Sequence, residues 1–246
     1  MHKLLVFDLD GTLAKPAKRM SEADVQKLIA LEEGGYKIAI CSGKTCYYLC
    51  GFARQLGLKN PILLGENGGS IQFGIDLPPR KYLEYPHSKR AKEQIQRMKC
   101  LIDERFPGKI WYQPNLIGIS PFPADEETFE ALYELINQNP DYMDELIVYR
   151  HWDCFDLIPQ NINKKNGLRY LSETIGIKAS DMIAIGDGVN DIPMFEYADI
   201  AIGVMEKMDG KCAGTKAVGK NPIEAYVNYS FATIGKVLDF VTERQL

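Results

Sequence analysis

The order of the apolar runs constrains this chain most. Short, almost wholly apolar stretches at residues 3–7, 36–41 and 62–64 end in turn chemistry, and helical patterns separate them. Ser21 is a natural N-cap, with Glu22 and Asp24 in the first turn, where a helix favours acids. That helix carries Val25, Leu28, Ile29 and Leu31, and Gly34-Gly35 stops it. A second helix is expected over 44–56. The resulting strand–helix–strand–helix–strand order predicts a doubly wound parallel sheet.

The texture changes at about residue 83. A helix over 87–105, strands over 109–113 and 116–120, a helix over 124–137 and strands over 146–150 and 154–158 predict an α+β insert with an antiparallel sheet. Pro78-Pro79 precedes it and residues 159–163 follow it, both natural hinge positions. Alternation then resumes with a helix over 165–175, a strand over 182–185, a loop over 186–190, a short helix over 192–197, a strand over 200–203 and a final helix over 234–243. The expected class is therefore α/β. A Rossmann-like core (1–82 and 159–246) is interrupted by the insert (83–158).

Two acidic clusters follow predicted strand ends. In Phe7-Asp8-Leu9-Asp10-Gly11-Thr12, Leu9 can point to the core while Asp8 and Asp10 face the crevice where open α/β sheets bind ligands. Gly11 permits a tight turn, and backbone N–H groups there can help cradle an anion. A carboxylate is a competent nucleophile toward phosphorus, and a neighbouring carboxyl can protonate the leaving oxygen and then activate water. Phosphate and carboxylate repel, so a cation is needed, and Mg²⁺ prefers oxygen ligands. The second cluster, Gly186-Asp187-Gly188-Val189-Asn190-Asp191, would bring Asp187 beside Asp8 if both strands are central, with Asp191 binding directly or through water. Ser42 can donate its hydroxyl to phosphate, assisted by the Gly43 N–H and the helix N-terminus that follows; capping that helix is its alternative role. Lys164 can set a positive charge against both Asp8 and phosphate.

These segments, in this order, resemble the four motifs of the haloacid dehalogenase-like (HAD) hydrolase superfamily. The insert between the second and third motifs is similar to the C2B-type cap of its IIB (Cof-like) branch, and Glu66-Asn67-Gly68-Gly69 resembles that branch's Asn-Gly segment. The resemblance implies a core of residues 1–82 and 159–246 with a cap at 83–158 that closes over the crevice. It implies Asp8 as nucleophile and metal ligand, and Asp10 as general acid/base that binds metal through its backbone carbonyl. It further implies Ser42, Gly43 and Lys164 on phosphate, Asn67 and Asn190 as substrate contacts, and Asp187 and Asp191 around Mg²⁺. Lys44 stands where the branch often has Arg. The pair Lys164-Lys165 offers two candidates for the third motif; counting back from Leu168 and Leu171 selects Lys164, with Lys165 as the alternative.

The implied activity is Mg²⁺-dependent hydrolysis of a small phosphomonoester, a sugar phosphate or phosphorylated carboxylic acid, through an aspartyl-phosphate. A phosphomannomutase-like sugar phosphomutase is the alternative, and a catalytically idle binding protein a third reading, against which the intact carboxylates count. The formal net charge of -4 gives no general pull toward nucleic acid or anionic lipid. No run approaches the ~20 apolar residues of a membrane span. Cys41, Cys46, Cys50, Cys100, Cys154 and Cys212 include no Cys-x-x-Cys pair and no partner histidines that complete a zinc site, so they read as reduced thiols in a cytoplasmic protein. Monomer and homodimer both stay open. His2, His87 and His151 are assigned structural roles, as are Trp111, Tyr112, Tyr149 and the Cys46/Cys50 pair.

Overall fold

The computed structural model describes residues 3–15, 18–205, 210–211 and 222–246. His2 and Cys212 lie outside them. The chain divides into two compact units, Met1–Glu84 with Asn163–Leu246, and Tyr85–Ile162. The expected boundaries, after 82 and after 158, fall a few residues earlier.

The first unit begins with β1 (Leu4–Phe7), α1 (Glu22–Glu33), β2 (Lys37–Cys41), α2 (Cys46–Leu56) and β3 (Ile62–Gly65). Two strands that the sequence did not announce follow, β4 (Ser70–Phe73) and β5 (Tyr82–Glu84). The insert contributes α3 (Lys89–Arg105), β6 (Ile110–Gln113), β7 (Ser120–Pro123), α4 (Glu126–Asn137), β8 (Leu146–Arg150) and β9 (Phe155–Pro159). The chain returns through α5 (Lys164–Ile175), β10 (Met182–Gly186), α6 (Ile192–Phe195), β11 (Ile200–Val204), β12 (Gly210–Lys211), β13 (Tyr229–Phe231) and α7 (Ile234–Arg244).

Among the described residues the first unit holds one nine-stranded sheet, ordered β12-β13-β11-β10-β1-β2-β3-β4-β5. It is parallel from β13 to β3 and antiparallel at both edges. Apart from Lys37 at the start of β2, the central strands are apolar because both faces are covered. Leu5 and Phe7 pack with Leu28, Leu49 and Leu238 of α1, α2 and α7 on one side. Leu4 and Val6 pack with Leu168, Leu171 and Met194 of α5 and α6 on the other. The helices end where the residues demand: Ser21 Oγ caps α1 by accepting from the Asp24 N–H (3.2 Å), and Gly57 and Gly176 take left-handed conformations after α2 and α5.

The second unit has its own core, in which α3 and α4 place Met98, Ile102 and Leu132 against Phe155 and Leu157. Its strands form two antiparallel hairpins, β6–β7 and β8–β9, linked by one bridge between Ile119 and Leu157. The expected strand at 116–120 is displaced to Ser120–Pro123. The prolines explain why only one bridge joins the hairpins. Ile119 donates to the Leu157 carbonyl (3.0 Å), and backbone N–H groups at 121 and 123 would point the same way. Pro121 and Pro123 have none, so pairing with β9 stops after a single bridge. Two further expectations are corrected. Trp111 is 56% exposed and stacks on Phe122 rather than packing inside. His87 precedes α3, whose cap is Ser88.

One close approach fixes the first unit near the strand ends. The turn after β3 crosses the first turn of α5 at Gly68 and Gly167; a Cβ on Gly167 would stand 2.5 Å from the Gly68 Cα. Gly167→Ala should therefore destabilise by about 1–3 kcal/mol. Gly51→Ala, at a helical site with open space around it, should stabilise by up to ~1 kcal/mol. Urea midpoints of the two variants check this, and a neutral Gly167→Ala would contradict the crossing.

Candidate active site

Parallel register brings three loops to one edge. Phe7 pairs with Ile40 on one side and Ile185 on the other, so Asp8, Ser42 and Asp187 all lie just past the carboxyl ends of adjacent strands. The Asp8 N–H continues the ladder onto the Ile185 carbonyl (2.8 Å). Leu9 is buried in the core, while Asp8 beside it is buried at the edge and Asp10 is exposed. The loop closes on itself through the Gly11 N–H to the Ala14 carbonyl (2.8 Å). Gly11 has φ +96°, and a Cβ there would stand 2.2 Å from Asp187 Oδ2. Only glycine lets the first acidic loop close against the second.

Lys164, 1% exposed, is the centre of the cluster. Its ammonium donates to Asp8 Oδ1 and to Asp191 Oδ1, each at 2.6 Å. Lys165 turns outward and pairs with Glu196 (3.3 Å). Asp191 is fully buried, and its other oxygen accepts from the N–H groups of Asp187 and Gly188, both at 2.9 Å. One carboxylate thus orients the lysine and folds the second loop. The Asn190 side chain lies over Gly188 in that loop.

The second strand end is built by backbone contacts. Ser42 Oγ accepts from the Lys44 N–H (3.2 Å), and α2 begins later, capped by Thr45. Ser42 is therefore not the cap of α2, and the expected helix start at 44 moves to Cys46. Gly43 sits in the loop between them. Asn67 and Glu66 adopt left-handed conformations, φ 57° and 50°. Their N–H groups bond the Ser42 and Lys44 carbonyls, both at 2.9 Å. Asn67 is thereby buried against the Ser42 loop. The Lys44 ammonium lies 3.9 Å from Asp10 Oδ2.

Sequence reasoning assigned no role to Thr12. Its hydroxyl donates to Asp187 Oδ1 (2.6 Å) and fixes that carboxylate from below. Its place two residues after Asp10 in the same motif was the only signal.

Asp8, Asp187 and Asp191 each bring an oxygen into a space where all three lie within 4.8 Å. Burial pushes the Asp8 carboxyl up to about 7; Lys164 opposes this, and Asp191 and Asp187 add to it. Asp187 is pushed up to about 6, again mainly by burial, against the Thr12 hydrogen bond. Burial pulls Lys164 down, but Asp191 and Asp8 outweigh it and hold it protonated above the ordinary lysine range. Three carboxylates face one ammonium, so full ionisation leaves two negative charges uncompensated. An all-oxygen donor set with that excess fits a hard divalent cation.

The sequence profile of the haloacid dehalogenase-like hydrolases matches residues 5–102 and 80–218. A phosphoglycolate phosphatase of Methanoculleus marisnigri is 27% identical over 83% of this chain and 84% of its own length. Among solved structures, a haloacid dehalogenase-like hydrolase from Bacteroides thetaiotaomicron superposes with TM-score 0.77 at 18% identity, covering 98% of this chain and 100% of that one. A HAD subclass IIB sugar phosphatase has the same fold, with TM-score 0.71, 18% identity and 99% of each chain covered.

The raised carboxyls give a signed expectation. Unfolded aspartate releases its proton near 3.8, whereas Asp8 and Asp187 hold theirs to about 7 and about 6. The native state then binds more protons between those values, so metal-free stability falls as pH rises through that window. A bound cation competes with those protons and removes the fall. The gap in thermal midpoint between Mg²⁺-saturated and EDTA-treated protein should widen from about pH 5 to about pH 8. A gap that stays constant or narrows would contradict the cluster's role.

Proposed function

The chain belongs to the haloacid dehalogenase-like hydrolases, and from that premise we propose that it is a Mg²⁺-dependent phosphatase of small phosphomonoesters, working through a phosphorylated Asp8. The observation that carries this reading is the buried Asp8, held by Lys164 beside Asp187 at the carboxyl edge of the sheet. A purely structural ion pair would balance its charges. Here carboxylates outnumber the lysine, an arrangement that is expensive in a buried site unless a cation joins it.

Asp8 and Asp187, with the Asp10 backbone carbonyl, would hold Mg²⁺. Asp191 supports them by holding Lys164 and the second loop. When bound, the ion supplies positive charge that offsets the repulsion between Asp8 and the substrate phosphate. Lys164 engages Asp8 Oδ1, and the other carboxylate oxygen attacks phosphorus. The P–O bond to the substrate breaks as the P–O bond to Asp8 forms. Asp10, protonated, gives its proton to the leaving oxygen. As a carboxylate it then takes a proton from water, whose oxygen attacks phosphorus and frees Asp8 and inorganic phosphate. Ser42, the Gly43 N–H and Lys164 hold the phosphate oxygens, and Asn67 and Asn190 contact substrate or its loop. Lys164 rather than Lys165 fills the third motif because only Lys164 reaches Asp8.

The reading takes residues 83–158 as the family's cap and the remainder as its catalytic core. Substrates are expected among sugar phosphates and phosphorylated carboxylic acids, and phosphoglycolate, named for the Methanoculleus marisnigri relative, is the first to assay. No helix of the described residues is long and apolar enough to cross a membrane. The described cysteines are free thiols, which supports placement in the reducing cytoplasm.

A phosphate-release screen with Mg²⁺ over these substrates tests the proposal. Release should require the ion and stop with EDTA. Asp8→Asn should reduce it to background, and Asp10→Asn should slow it by about 10²–10⁴. Lys165→Ala should leave it unchanged. Full activity in EDTA, or turnover by Asp8→Asn, would overturn the mechanism.

A further inference from the structure

The insert carries a second group of ligand-type side chains, made of different residues and independent of the proposed phosphatase reading. β8 ends at Arg150 and β9 begins at Phe155, and the turn between them closes through the His151 N–H to the Cys154 carbonyl (2.9 Å). His151, Cys154 and Asp156 each bring one ligand atom into a space where all three lie within 4.8 Å. His151 Nε2 is 3.1 Å from Asp156 Oδ2. Cys154 is buried, and the other two are partly so.

The carboxylate is held from behind. Ser120 Oγ donates to Asp156 Oδ1 (2.5 Å), Asn115 Nδ2 to Ser120 Oγ (2.8 Å) and Gln113 Nε2 to Asn115 Oδ1 (2.6 Å). This chain leaves Asp156 Oδ2 turned toward the imidazole. Outer partners of this kind fix the direction of metal-binding carboxylates.

We propose that His151, Cys154 and Asp156 form a binding site for a borderline divalent ion of the zinc type. Imidazole and thiolate select such an ion over Mg²⁺, and one carboxylate supplies a third ligand, leaving the fourth position to solvent. Bonds of about 2.0–2.1 Å to nitrogen and oxygen give a tetrahedral edge of about 3.3 Å, and a sulfur bond of about 2.3 Å gives edges near 3.6 Å. The imidazole–carboxylate separation already matches the first, and the thiol, within 4.8 Å of both partners, needs a shift of up to about 1.2 Å to match the second. On binding, the Cys154 S–H bond breaks, its proton goes to solvent, and a sulfur–metal bond forms with no change in oxidation state. The ion would then clamp the two sides of the β8–β9 turn.

Titration of tag-free protein with Co²⁺, followed by displacement with Zn²⁺, tests this. The wild type should show a thiolate-to-cobalt charge-transfer band that saturates at one equivalent and is lost to Zn²⁺. Cys154→Ser should lose the band, and His151→Gln should lose tight binding. Ser120→Ala should keep the band but weaken affinity roughly tenfold. Asp187→Asn, in the other cluster, should retain it. Circular dichroism checks that each variant folds; if Cys154→Ser does not, His151→Gln decides by the same readout. No band in the wild type, or a band that survives in a folded Cys154→Ser or His151→Gln, would overturn the site.

Discussion

The buried ammonium of Lys164 is the contact on which the rest of the site depends. It joins the loop after β1, through Asp8, to the loop after β10, through Asp191, and it does so from the first turn of α5. A lysine there works against the helix dipole by about 0.3–1 kcal/mol, so helix stability does not account for its place. Removing one partner of such a buried pair costs about 3–5 kcal/mol, because the remaining charge is stranded. The Gly68–Gly167 crossing presses α5 onto the turn after β3, and so registers Lys164 against the strand ends.

The parallel core was legible because its physics is local. Leu4–Phe7, Lys37–Cys41, Ile62–Gly65 and Met182–Gly186 are short apolar runs that only a sheet covered on both faces can bury. The lysine choice was legible for a related reason. Lys164 lies four and seven residues before Leu168 and Leu171, so it shares their buried helix face, whereas Lys165 does not. Asp8 and Asp187 could be brought together on paper once both strands were placed side by side in the sheet.

What stayed hidden depends on pairings and contacts that form only on folding. β4 and β5 are short and carry Gln72, Tyr82 and Glu84, so no apolar pattern announces them; β4 becomes a strand by pairing with β3, and β5 by pairing with β4. The position of β7 at Ser120–Pro123 is set by its pairing with β6, and its single bridge to β9 by the side on which Pro121 and Pro123 lack donors; periodicity shows neither. The Thr12–Asp187 bond spans most of the chain. The His151, Cys154 and Asp156 group becomes a constellation only when the β8–β9 turn folds, since its spacing matches no sequence pattern for zinc.

Both acidic loops and the lysine between them meet at the Asp8 carboxylate, whose oxygen not engaged by Lys164 is the proposed nucleophile. The most direct test is to quench the enzyme in acid during its first turnover, reduce with borohydride and map the chain by mass spectrometry. A phosphorylated Asp8 would be reduced to homoserine, and the account predicts that conversion at residue 8 alone, dependent on Mg²⁺. Phosphate release with Asp8 unmodified under these conditions, or a phosphate trapped on Ser42 instead, would contradict it.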